Sequence, residues 1–557
     1  MKKISGVKTF AACLATGMLL GLGLTGCSNT ATTTTVSDTS VTTSTLKAGA
    51  GMAPINFPSA LFTTPSAIEG FNGTVHDVPH ARVMVLESNS KVAIVSLELV
   101  RTDADGVANI KQIVNQYTGT PLENIYVHSN HTITTPHEPT DSTLLGYWMS
   151  AVEAAVTTAS QQAASTYQNA IAGFATGTSD VNVNRNVQMS DGKFHIGLTD
   201  TTHASNKTMT ILGVKGLVTG TPIGYIISYG VKPTSVDNAG MSAGVRQISA
   251  DVPGLACTMM EAQFNAPTMY LMGATADQVP KYDAYRAYDN GSGTVTDNVD
   301  DYPTLSMAQI FAKMTPLGTQ MGNDAIAIAK NISYSKTNPT ITFTNTTFSW
   351  PAVSYNPGGN DYSYTAGTLN VEPVFAVRFG DAAFIGTKPE IDAVTEQQLQ
   401  AIGTSLGFSH VMVSSFIEGD AKYMPHSEAY GLTTGSTLYP VPSVEAKKTG
   451  FAQGAAEEFV TTGNALLNGF LGKNLVDTTG PSAISTQTTN TNGTVTITVI
   501  AYDDISGVNS ITTPSGTIVQ GSTTTYTVST NGTYKFTLMD YAGNTTTYSV
   551  SVTSITV

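Results

Sequence analysis

Three of the nine histidines fall within ten residues, in His128-Ser-Asn-His131-Thr-Ile-Thr-Thr-Pro-His137. Imidazole is the commonest side-chain ligand for zinc and the only side chain whose ordinary pKa lies close to neutrality, so this cluster offers metal binding or proton transfer. An apolar stretch at 125–128 reads as a strand running straight into it, and strand ends are where α/β sheets gather ligand-binding groups. Solvated histidines in a polar loop would show the same spacing. The decapeptide alone leaves the metal-site and surface-loop readings level.

The surrounding chain supplies the elements that must position it. Runs rich in Val and Ile at 82–86, 91–100, 209–214, 223–229, 268–272, 374–377, 383–386 and 410–414 read as strands. Helical patterns lie between them at 109–117, 142–167, 255–264, 305–329 and 390–402. This alternation predicts a large, layered α/β domain over 47–475. From residue 480 the texture changes to period-2 alternation, with turn clusters such as Asn531-Gly532 and Ala542-Gly-Asn544. That pattern predicts a small immunoglobulin-like β-sandwich of six or seven strands over 480–557. Asp503, Asp504 and Asp540 are candidate calcium ligands at its edge, with solvated turn carboxylates as the plainer explanation.

Several separated segments together resemble the neutral/alkaline non-lysosomal ceramidase family. Gly73-Thr-Val-His76-Asp77 with Ala81-Arg82-Val-Met-Val-Leu86-Glu87 is similar to that family's G-x-H-D-x-x-x-A-R-x-x-V-L-E opening. Asn130-His131-Thr-Ile133-Thr-Thr-Pro136 stands where it has T-H-T-H-S-G-P, Asn184-Arg185 where it has N-R, and Ser249-Ala-Asp251-Val-Pro-Gly254 where it has S-A-D-Y-P-G. Gly273-Ala-Thr-Ala-Asp277-Gln278 resembles G-A-A-G-D-Q, Lys388-Pro-Glu390 resembles P-G-E, and Tyr423-Met-Pro425 with Glu428-Ala-Tyr430 resembles Y-x-P-T-x-E-A-Y. The motifs keep their order across 48–469.

The resemblance implies one zinc ion, held by two histidines, a glutamate and a tyrosine, that activates a water to attack the amide of an N-acyl sphingoid lipid. Carried over position by position, it makes His131, Glu390 and Tyr423 metal ligands. It places Lys232, Asp251 and Asp277 in the catalytic pocket. The second zinc histidine is absent: Gly230-Val231-Lys232-Pro233-Thr234 stands where the family has A-C-H-P-T. An ammonium cannot coordinate zinc, and its charge repels a dication. Ile133 replaces an auxiliary histidine, and Val279 stands where some members carry a serine.

Three readings follow. In the first, a metal hydrolase has rebuilt its site with His128, His137 or His203. In the second, a metal-free binding site pairs Lys232 with Glu390, and Asp251 is a further partner. In the third, Lys232 acts as a desolvated base of lowered pKa, assisted by His131 or Tyr423.

The remaining candidates have structural alternatives. Asp277 could accept from His131 or be a loop carboxylate. His76 with Asp77 could build the pocket or a turn. Arg82 and Arg185 could close internal ion pairs or meet an acidic group, and Ser249 could cap a helix or line the pocket.

At the N-terminus, Lys2-Lys3, an apolar stretch and Leu24-Thr-Gly-Cys27 are laid out as a lipoprotein signal over 1–26, with Cys27 as the lipidation site. A Ser/Thr-rich tether over 27–46 follows. The expected setting is therefore an exported lipoprotein, at the cell surface or in the periplasm, anchored to a membrane through Cys27. Only Cys257 would remain in the chain besides it, so no internal disulfide is expected. The formal charge of −14, with Lys+Arg 26 against Asp+Glu 40, excludes nucleic acid as a partner by sequence reading. The partner implied is a small amphipathic or N-acyl compound. The sequence has no phosphate loop, dinucleotide fingerprint or Gly-x-Ser-x-Gly elbow.

Overall fold

The computed structural model describes residues 45–555, apart from 65–67, 198–199, 201, 237–243, 283–287, 290–294, 297–305, 359–360, 420–421, 433–435, 473–476, 504–507 and 541–542. Cys27, the signal stretch, most of the tether and Asp504 lie outside the described residues. None of the described helices is long and apolar enough to cross a membrane.

Alternation along the strands dictates the layering. In strand His80–Glu87, Val83 and Val85 belong to one apolar cluster and Met84 and Leu86 to another, so both faces of the strand are buried. The same split recurs at Tyr270 and Met272 against Met269 and Leu271. Eight strands form the main path of this mixed sheet, in the order Thr268–Met272, Pro222–Tyr229, Thr208–Gly216, Gln168–Thr178, Lys47–Pro54, His80–Glu87, Lys91–Leu97 and Ile125–Ser129. A ninth, Ser333–Lys336, pairs with Gln168–Thr178 off that path.

One face of the sheet packs on helices Ala104–Thr118 and Ser142–Ser165, and on Asp251–Phe264 and Met307–Ala329. The other face meets a second sheet, built from Ile341–Asn356, Asp361–Phe379, Ala382–Thr387 and His410–Ser414, through Val377, Phe379, Phe384 and Met412. The intervening residues Val374, Ala376, Ile385, Val411 and Val413 point the opposite way, onto helices Ala393–Leu406 and Ala455–Phe470. The result is four layers, helix, sheet, sheet, helix, which is the layered α/β class expected from the alternation.

Two glycines set a close approach. A Cβ at Gly49 would lie 2.0 Å from the Ala163 carbonyl oxygen, and one at Gly51 2.2 Å from that of Ala159. The strand Lys47–Pro54 therefore lets the helix Ser142–Ser165 rest directly on its backbone.

Beyond residue 480, seven strands form sheets of three and four, enclosing Val495, Ile497, Val499, Phe536 and Leu538. This C-terminal sandwich does not hang free. Ile500 is buried in the same cluster as Phe348, Trp350, Phe459 and Phe470 of the α/β domain.

Candidate functional site

Strand ends converge on one spot. The parallel pair Lys91–Leu97 and Ile125–Ser129 runs into the loop carrying His131, and the parallel pair Pro222–Tyr229 and Thr268–Met272 runs into Lys232 and Thr275. Beyond the second sheet, the short parallel pair Glu390–Ile391 and Tyr423–Met424 sets Glu390 opposite Tyr423 in register. Backbone bonds join these ends: Ile133 N–H donates to the Pro233 carbonyl at 3.2 Å, Lys232 N–H to Gln278 at 3.1 Å, and both Thr275 and Ala276 to Ile391 at 3.0 Å.

At the centre, the Lys232 ammonium donates to Glu390 Oε1 at 2.9 Å and to the Tyr423 hydroxyl at 2.9 Å. Thr275 Oγ1 donates to the other Glu390 oxygen at 3.2 Å. His131 Nδ1 lies 3.2 Å from the Val100 carbonyl. A carbonyl can only accept, so the proton sits on Nδ1 and Nε2 presents a bare lone pair, 3.9 Å from Glu390 Oε1. The imidazole lies against Phe416 with ring centres 4.3 Å apart. Both residues have positive φ, 54° and 57°. Left-handed backbone at non-glycine residues costs about 1–3 kcal/mol each and gathers at functional sites. The His131 side chain keeps 14% of its surface exposed, against 2% for Lys232 and 4% for Glu390, so His131 marks the solvent side.

A second cation flanks the phenol. Arg185 donates from Nε to Glu445 Oε1 at 2.7 Å, and its guanidinium carbon lies 5.0 Å from the Tyr423 ring centre. Lys232 Nζ lies 4.8 Å from the same centre. Burial lifts the phenol, but Lys232 and then Arg185 outweigh it and hold Tyr423 below its ordinary pKa. Burial pulls Lys232 down, yet Glu390 and Tyr423 raise it further, so the amine is a fixed ammonium and not a base. Burial and then Lys232 push His131 well below the usual imidazole range, which keeps it neutral.

The other expected residues are placed as follows. His128 points into the core, accepts from the Met272 N–H at 3.2 Å, and is held down to about 3 by burial. His137 pairs with Glu69 at 2.8 Å, and both ring nitrogens of His203 are engaged, by Asp200 and by the Leu438 carbonyl. None of the three fills the position left by the missing histidine. Asp251 is engaged by Ser235, through the N–H at 3.0 Å and the hydroxyl at 2.8 Å, rather than by Lys232. Burial pushes its carboxyl up to about 7.

Asp277 accepts from the Asn184 amide and the Ala393 N–H, not from His131, whose acceptor is Val100. Burial, with Asp392 and Glu445 nearby, raises Asp277 well above the carboxylate range. His76, stacked on Phe311, and Ser249 both meet Asp77 Oδ2 at 2.6 Å. Arg82 is held by Glu98 and Glu261. Val279 is buried in a short pairing with Val183. Cys257 is free and buried. Asp503 and Asp540 sit with Asp477 so that one oxygen of each lies within 4.8 Å of the others.

Sequence reading missed Thr275, Glu445, Phe416 and the Asp392–His426 pair. His426 Nδ1 and its backbone N–H both reach Asp392 Oδ2, at 2.5 and 2.7 Å. That pair ties the segment after Glu390 to the segment after Tyr423. The only available signal was a histidine in the position where the resembling motif has threonine.

The fold matches solved structures. One, described as a ceramidase complexed with C2, aligns with a TM-score of 0.57 at 14% identity, covering 91% of this chain and 98% of that one. The fold is that of the neutral ceramidases. A neutral ceramidase from Pseudomonas aeruginosa aligns equally broadly, with a TM-score of 0.56 and 14% identity. No family model and no curated protein matches the sequence.

The ceramidase resemblance implies zinc, and the residues present do not fit it. Zinc would need oxygen ligands at about 2.0–2.2 Å, and the two oxygens it would use, on Glu390 and Tyr423, are already bridged by an ammonium at 2.9 Å. Among the described residues, Asp477, Asp503 and Asp540 form the only group of three or more His, Cys, Asp or Glu side chains spaced to hold an ion, whereas the expected zinc position brings only two such side chains together, His131 and Glu390.

Proposed function

We propose that this ceramidase-like chain uses the pocket at its strand ends to hold the polar, amide-bearing part of an N-acyl amphipathic compound, and that it does so without a metal. The observation that carries this reading is the Lys232 ammonium bridging Glu390 and Tyr423. It supplies the positive charge that the carboxylate requires in a buried setting. A neutral His131 Nε2 offers an acceptor for an amide N–H, and the third N–H of Lys232 offers a charge-assisted donor for the carbonyl. An ammonium in the place of the missing ligand disfavours a metal-activated water, so capture of the ligand is favoured over its hydrolysis. A base at Lys232 is disfavoured by its raised pKa.

A second reading, a zinc-dependent hydrolase acting on the same amide, draws on the ceramidase fold and on the convergence of His131, Glu390 and Tyr423. Metal analysis of the purified protein, together with an assay on a fluorescent N-acyl sphingosine, separates the two. Metal-free capture predicts no zinc above background and saturable binding with no release of fatty acid. About one zinc per chain with turnover establishes the hydrolase instead. We further propose that Cys27 is lipidated and tethers the exported protein to a membrane. Cys27→Ala should then move it from the membrane fraction to the soluble fraction.

A further inference from the structure

Where the C-terminal sandwich meets the α/β domain, strand Ile341–Asn356 and helix Ala455–Phe470 wall a crevice of about 580 Å³, closed by Val508, Gly521 and Ser522. Small-molecule sites occupy about 300–1,000 Å³. Six hydroxyl-bearing residues line it, Thr346, Thr347, Ser349, Thr461, Thr462 and Ser522, and none makes a side-chain hydrogen bond with another described residue. A helical threonine commonly satisfies its hydroxyl on the carbonyl four residues back. Thr118, Thr158, Thr258, Thr315 and Thr404 all do so here. Thr461 and Thr462 do not, which leaves adjacent donors and acceptors for whatever enters the crevice.

Charge narrows the occupant. Among the described residues, no lysine, arginine or histidine lines the crevice, so a phosphate, sulfate or carboxylate would find no counter-charge among them. The one ionisable group among its described lining residues is Glu458, a carboxyl that can accept from two neighbouring hydroxyls. Phe348 and Leu466 add apolar surface between the polar groups. The chemistry complementary to these walls is a neutral carbon framework bearing many hydroxyls.

We propose that this crevice is a subsite for a neutral hexose-based oligosaccharide, formed jointly by the C-terminal sandwich and the α/β domain. It is independent of the Lys232 pocket. The test is calorimetric titration of the full chain with maltohexaose, cellohexaose and N-acetylchitohexaose. At least one should bind one-to-one. The near-isosteric Thr461→Val/Thr462→Val variant should weaken binding about tenfold, as loss of two hydrogen bonds implies. Thr462→Trp, which fills the crevice, should abolish it while the thermal unfolding midpoint confirms folding. If none of the three sugars binds, or if the double valine variant binds as tightly as the parent, the proposal is overturned.

Discussion

Arg82 and Lys232 are both buried cations, each held by two oxygen-bearing side chains. Arg82 lies within the core, with its guanidinium forked between Glu98 at 2.6 Å and Glu261 at 2.7 Å, so strand and helix are joined by two carboxylates. Lys232 lies at a strand end, with one carboxylate and one phenol, next to an imidazole whose lone pair is uncommitted and whose backbone is left-handed. The difference shows what separates a structural ion pair from a candidate site. Burial and pairing are common to both, whereas left-handed backbone within the group, at His131 and Phe416, occurs only at the second.

The largest effect should come from the structural pair. Arg82→Met leaves Glu98 and Glu261 buried without their cation, and breaking such a pair costs about 3–5 kcal/mol. Urea unfolding should show that loss. If the variant is as stable as the parent, the contrast with Lys232 has no basis.

Lys232→Met strands one carboxylate instead of two, so a loss of about 3 kcal/mol is expected, at the lower end of the same range. Adding Glu390→Gln should recover most of it, because the residual charge is then gone. A double variant as unstable as the single one would show that Lys232 acts through packing and not through Glu390.

These contrasts also show how much was legible in the sequence. Strands with both faces buried announced themselves as Val- and Ile-rich runs, as at Val83, Val85 and Val92–Val95. Of the long hairpin Ile341–Asn356 and Asp361–Phe379 only 374–377 did, because Thr342, Thr346 and Thr347 in its first strand are exposed and carry no apolar period. Strand Lys47–Pro54 was hidden by Gly49 and Gly51, chosen for helix contact and not for strand propensity. At the site, Lys232, Glu390 and Tyr423 were reachable only through a resemblance, since they lie 158 and 191 positions apart along the chain. Glu445 and Arg185, 260 positions apart, belong to no shared local pattern.

A smaller effect should appear in pH dependence. Burial opposes the charged form of His426, but Asp392 outweighs it and lifts the imidazole to about 9 from its usual 6.5. A raised basic group adds stability that is fully present below 6.5 and lost as pH climbs through 9. The stability difference between the parent and His426→Gln should therefore shrink by about 2 kcal/mol across that window. Asp251, Glu396 and Glu458, each lifted to about 7, titrate in both proteins and cancel in the difference. A difference that stays flat from pH 6 to 9.5 would remove the Asp392 clamp from the account of how Glu390 and Tyr423 are held together.

The finest distinction concerns the metal itself. With the ammonium in place, zinc should leave the thermal midpoint of the parent unchanged, because any ion seated between Glu390 and Tyr423 would meet a like charge that Glu390 already neutralises. Lys232→His replaces that charge with a lone pair beside His131, Glu390 and Tyr423, which together form a donor set zinc accepts. At zinc ten times its Kd, the variant should gain about 1.4 kcal/mol. If the parent gains as much, Lys232 leaves the site on metal binding and the hydrolase reading takes precedence. If neither gains, the four side chains do not close to a tetrahedron, and the pocket is shaped for an organic ligand irrespective of residue 232.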